Sequence, residues 1–232
     1  MDKINLYNSG IRRTEKILVI GPGASTRMAR RLYKEIEKNY SLLQVHINDT
    51  NYSWSYPDMW QTDNPNLETT NGHNLGTFAY ILFDILLKFK IKVILCGSRG
   101  GQVILPQLIR IYEKYRQYEL PDFPPSIIMN SGIIHTICKW PINSPMILLS
   151  FGNDYFNTKN PNNIIKYTKY QNNYGYIIHI PNETHAPQRE LHLIINDLIK
   201  YIPSSRNNCS TNYNILKNII QNKINNAAIY AF

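Results

Sequence analysis

Six short runs rich in β-branched and aliphatic residues punctuate the chain: Lys16–Ile20 (KILVI), Leu42–Ile47 (LLQVHI), Val93–Cys96 (VILC), Ser126–Met129 (SIIM), Met146–Phe151 (MILLSF) and Tyr176–Ile180 (YIIHI). Each has the length of a strand and is too short for a buried helix. Between them lie stretches with helical period, over Ser25–Lys38, Leu75–Phe89 and Gly100–Tyr118, with a short helix over Asn162–Tyr170 and an amphipathic one over Gln188–Ile202. Strand and helix in alternation require crossover connections. The pattern therefore predicts a mostly parallel sheet flanked by helices, the α/β class. Little more than the dozen residues of a minimal parallel crossover separates Ser126–Met129 from Met146–Phe151, so no large insertion fits there.

The chain of 232 residues, 43% hydrophobic, is long enough to bury one sizeable core. A single domain over residues 1–203 is expected, followed by an Asn-rich tail, 204–232, whose apolar patch NILKNII either docks as a short helix or stays loose. The opening MDKINLYNSGIRR has no apolar signal region, and no run reaches the roughly 18 apolar residues of a membrane span. These features predict a cytoplasmic protein without a membrane span. Cys96, Cys138 and Cys209 are too few and too scattered for a disulfide framework or a metal-ligand spacing, which fits a reducing compartment and predicts no metal. The net charge of +9 is spread thinly along the chain and comes with no recognisable nucleic-acid module, so it points away from nucleic acid. The sequence carries no signal for oligomeric state.

Two stretches stand out from this scaffold. Residues 48–71 form an aperiodic segment longer than ordinary connections, and its aromatics Tyr52, Trp54, Tyr56 and Trp60 need a surface to cover. In the second, "VILCGSRGGQV", an apolar strand ends in Cys96-Gly97-Ser98-Arg99-Gly100 and turns into a helix. A serine between small residues on such a turn exposes its hydroxyl; it is equally able to cap the helix that follows. Asp154 comes just after MILLSF, and His185 comes just after YIIHI. Ser98, Asp154 and His185 therefore fall at the carboxyl edge of one sheet, where open parallel sheets put their ligands. His179 is the competing histidine, but it lies within the strand and reads as a packed residue.

The strand-turn-helix at Ser98, followed in order by the acid and the histidine, resembles the nucleophile elbow and triad of the α/β-hydrolase superfamily, with Cys96 at the usual first glycine. The resemblance covers about Lys16 to Ile202. It implies a three-layer α/β sandwich lacking the family's first strands and large cap. It further implies a serine hydrolase of esterase or thioesterase type, with Ser98, His185 and Asp154 as triad and a small-molecule acyl substrate. No cofactor is implied. The oxyanion donors would be the backbone N–H of Arg99 and, from Gly21–Thr26, that of Gly23, because Pro22 has none. With no large cap, Trp54, Tyr56 and Trp60 are the expected pocket walls. Two other readings stay open. One is a catalytically silent fold that binds a ligand or partner, which Pro22 makes credible. The other is a nucleotide-binding protein using the turn VIGPGAST, with Asp49 as the acidic residue beyond it.

Overall fold

The six apolar runs pair side by side as parallel strands, and an antiparallel strand closes each edge. A computed structural model describes residues 4–8, 14–20, 30–47, 73–97, 100–129, 141, 144–154 and 174–232. Its strands are β1 (Ile4–Asn8), β2 (Lys16–Ile20), β3 (Ser41–Ile47), β4 (Ile91–Gly97), β5 (Ser126–Met129), β6 (Met146–Asn153), β7 (Gly175–Thr184) and β8 (Ala228–Ala231). Among the described residues they form one eight-stranded sheet in the order β1-β3-β2-β4-β5-β6-β7-β8. Only β1 on β3 and β8 on β7 are antiparallel.

The alternation of side chains along each strand supplies two apolar faces, as a sheet covered on both sides demands. One face, with Leu18, Ile94 and Leu148, packs on α2 (His73–Lys88) and α3 (Leu105–Tyr115). The other, with Val19, Leu95, Leu149 and Ile178, packs on α1 (Arg30–Glu37), α4 (Ile195–Tyr201) and α5 (Cys209–Lys223). The result is a three-layer α/β sandwich, as expected. No helix among the described residues is long and apolar enough to cross a membrane.

Two elements differ from the sequence expectation. The first is β1, which stands where the first strands were expected to be missing: INLYN pairs through its backbone along β3 from Ile4↔Ile47 to Asn8↔Leu43. The second is the tail, which docks as one of the two alternatives allowed, but whose helix α5 runs 15 residues rather than being short and is followed by a strand. Leu216, Ile220, Ile224 and Ile229 of this segment are buried in the core. Tyr176 Oη donates to the Cys209 carbonyl at 2.7 Å, Tyr213 Oη donates to that of Ile229 at 3.2 Å, and Lys223 Nζ meets Asp197 at 2.8 Å. Apolar burial, the Tyr176 bond and the pairing of β8 with β7 fasten this segment to the strand that precedes His185, and the other two contacts tie α5 to β8 and to α4.

Candidate active site

Strands β4, β6 and β7 run parallel and end on the same edge of the sheet. β4 ends at Gly97, one residue before Ser98, and a π-helical turn over Gly100–Ile104 leads into α3. Such turns recur at functional sites, because the widened helix re-aims the chain at its start. The turn lies tight against the sheet. A Cβ on Gly101 would meet Ile128 Cγ2 at 2.9 Å and Cys96 Sγ at 3.4 Å. Cys96 is fully buried, its Sγ–H directed at the Ile127 carbonyl at 3.8 Å, and burial pushes its thiol pKa well up. A thiol in that state packs as a small apolar group and is chemically inert.

The structure brings Asp154 and His185 together. The Nδ1–H of His185 donates to the Asp154 carboxylate, 2.9 Å from Oδ1 and 3.0 Å from Oδ2. The Asp154 side chain has no solvent exposure, whereas that of His185 is 27% exposed. A carboxylate on Nδ1 selects the tautomer with the proton there and leaves the lone pair on Nε2. The pair is thus a buried acceptor steering a partly open imidazole.

Register explains how the two residues come to face each other. Along most of β6 and β7 the pairing is regular, through Phe151↔Ile180, and it then jumps to Asn153↔Thr184. Continued without the jump, Asp154 would lie opposite Glu183. With the extra residues of β7 bulged out, Asp154 and His185 each follow the last matched pair. Gly152 is required by this bulge, since a Cβ there would collide with the Pro181 carbonyl oxygen and come within 2.8 Å of its Cα. Backbone atoms cannot swing aside as a side-chain tip can.

His179 stands apart from this pair. It lies in β7 with Nδ1 3.3 Å from Oγ of Ser150, its cross-strand partner, and burial lowers its pKa. Ser98, Arg99, Gly23, Trp54, Tyr56 and Trp60 lie outside the described residues, as do Pro22, the segment 48–71 and the expected helix at Asn162–Tyr170. Among the described residues no group of three or more His, Cys, Asp and Glu side chains is arranged to hold a metal ion.

Glu183 is the residue that sequence reading passed over. It is fully buried, and its carboxylate accepts five backbone N–H groups. Oε1 takes those of Thr184 (3.1 Å), Gln188 (3.1 Å) and Arg189 (3.2 Å), and Oε2 those of Glu190 (2.8 Å) and Leu191 (2.9 Å). All five partners are main-chain groups, which every residue carries, so no pattern of side chains announces the arrangement. The only sequence signal is an acidic residue two positions before a histidine at a strand end.

No protein-family model matches the chain, and no curated protein matches it in sequence. Solved structures do. An α/β hydrolase enzyme, MGS-MChE2, from the metagenome of lagoon sediments at Mar Chica, Morocco, is 18% identical; the match covers 85% of this chain and 93% of that one, with a TM-score of 0.52. A predicted CIB-like hydrolase from Thermoplasma acidophilum is 10% identical over 85% of this chain and 89% of its own, at a TM-score of 0.48. A hydrolase of the α/β superfamily from Xanthomonas campestris pv. campestris is 11% identical over 86% and 98%, at a TM-score of 0.43.

Proposed function

The chain has an α/β-hydrolase fold, and on that premise we propose that it is a serine hydrolase that cleaves a carboxylic ester, thioester or related acyl bond through an acyl-serine. The observation that carries this reading is the Asp154–His185 hydrogen bond at 2.9 Å, at the sheet edge where β4 ends at Gly97, the residue before Ser98 in sequence. A histidine held in the Nδ1–H tautomer by a buried carboxylate is poised to take a proton on Nε2. A serine hydroxyl, a weak nucleophile by itself, needs such a base.

In the proposed reaction Ser98 Oγ attacks the acyl carbonyl carbon as its proton passes to His185 Nε2. Asp154 stabilises the imidazolium without taking the proton. The backbone N–H groups of Arg99 and Gly23 receive the developing oxyanion, a contribution worth roughly 10²–10³ in rate for each donor. Collapse expels the alcohol or thiol, which collects the proton from His185. Water then repeats the sequence and frees the acid. Trp54, Tyr56 and Trp60 wall the acyl pocket.

A panel of nitrophenyl esters and acyl thioesters of graded chain length tests this. The wild type should hydrolyse members of the panel, and Ser98→Ala or His185→Ala should each lower kcat by about 10⁴-fold or more, with the double variant scarcely worse because the two act as one unit. Full activity in Ser98→Ala would refute the proposal. A second reading, a silent member that binds its ligand without turnover, is favoured by Pro22, which removes an N–H from the oxyanion loop. That reading requires ligand binding with no hydrolysis anywhere in the panel.

A further inference from the structure

The residues between Thr184 and Leu191 belong to no strand or helix, so their N–H groups need acceptors from elsewhere. Glu183 provides them for Gln188, Arg189 and Glu190, and for Thr184 and Leu191 on either side. Its carboxylate is the hub of a ring of main chain: Thr184, Gln188, Arg189, Glu190 and Leu191 all point N–H groups at it, at 2.8–3.2 Å. His185 sits inside this ring, directly after one tethered residue. A further bond, from Thr184 Oγ1–H to the Ala186 carbonyl at 2.9 Å, spans it. The same glutamate sits in the β7 bulge that puts His185, rather than a second carboxylate, opposite Asp154. Bonds from N–H groups to an ionised acceptor are roughly twice as strong as neutral ones, so one side chain holds both the bulge and the loop.

We propose that Glu183 is the positioning residue for His185: by gathering these five amides it fixes the register and loop geometry that bring the imidazole onto Asp154. The inference rests on the reading of His185 as the general base. A glutamine at 183 keeps the size but offers one acceptor oxygen in place of two, and its NH₂ group faces amide donors. Part of the ring must therefore open. An aspartate keeps the charge on a shorter stem and closes the ring incompletely. Neither change touches Ser98, His185 or Asp154.

The test compares the wild type, Glu183→Gln, Glu183→Asp and Ile220→Ala. The last removes a fully buried side chain on α5, away from the loop, and serves as a control for lost stability alone. Two quantities are read at a temperature where all are folded: kcat and KM on the best nitrophenyl ester, and the downfield proton NMR resonance of the His185 Nδ1–H, assigned by its loss in His185→Ala. Glu183→Gln should lower kcat by about 100-fold with KM little changed, as a small misplacement of a catalytic group does, and should shift or abolish the resonance. Glu183→Asp should fall between it and the wild type, while Ile220→Ala keeps both quantities near wild type. If Glu183→Gln does not fold, Glu183→Asp alone decides by the same readouts. A glutamate variant that loses only thermal stability, with kcat and resonance kept, overturns the proposal. If the wild type hydrolyses nothing, the acyl-hydrolase reading fails by itself. The resonance, which needs no substrate, then decides: its loss in the glutamate variants upholds the positioning role and its persistence overturns it.

Discussion

Two buried carboxylates beside one histidine divide the work by what they accept: Asp154 takes the imidazole N–H and Glu183 takes the main chain. The Asp154 bond matters chemically because it decides which ring nitrogen keeps the lone pair. Asp154→Asn preserves shape but lets an NH₂ group face Nδ1, which favours the opposite tautomer. The expected outcome is a fall in kcat of about 10⁴-fold with the fold retained, measured by steady-state kinetics beside circular dichroism. A loss below about tenfold would remove Asp154 from the chemistry. At this scale the sequence was legible where a residue lies shortly beyond an apolar run. Asp154 stands three positions after Phe151 and His185 five after Ile180, close enough that parallel topology puts both at one sheet edge. The register jump that aligns them was not legible. It depends on Gly152 tolerating the backbone of Pro181 and on main-chain bonds to Glu183, neither of which side-chain types disclose.

The elements divide by how they are held. The six central strands are specified by the apolar surface they bury, so their sequences show it, although β4, β6 and β7 run past their apolar cores. The edge strands β1 and β8 rely instead on backbone pairing along one side. INLYN is interrupted by two Asn and AIYA is only four residues long, so neither stands out as a strand in advance. In α5 the buried residues are Leu216 and Ile220, four positions apart on one stripe amid Asn and Lys, which makes the segment look like loose tail. Packing contradicts that look. Leu216→Ala and Ile220→Ala should each cost about 2–5 kcal/mol in urea unfolding, as buried aliphatic truncations do. Tyr230→Ala, at a residue 42% exposed on β8, should stay within about 0.5 kcal/mol. Equal and small effects at all three positions would mean that α5 is not part of the cooperative unit.

At the scale of the whole molecule, the three-layer sandwich brings distant parts of the chain to one edge, and it also half-buries a histidine within β7, His179. Burial lowers the pKa of His179, so in the folded state it stays neutral where the unfolded chain would bind a proton. The unfolded state then takes up more protons as pH falls through about 6.5, and stability is lost in that direction. His179→Gln, which can still bond Ser150, should show a shallower decline in Tm between about pH 7.5 and about pH 5 than the wild type. Parallel curves would show that His179 titrates normally. The proposal that Ser98 is the nucleophile activated by the Asp154–His185 pair is tested by labelling with a fluorophosphonate and weighing the intact protein. The expected result is one phosphonyl adduct per chain, mapped to the peptide containing Ser98, absent in Ser98→Ala and strongly slowed in His185→Ala. No adduct on the folded wild type, or an adduct that persists in Ser98→Ala, would contradict it.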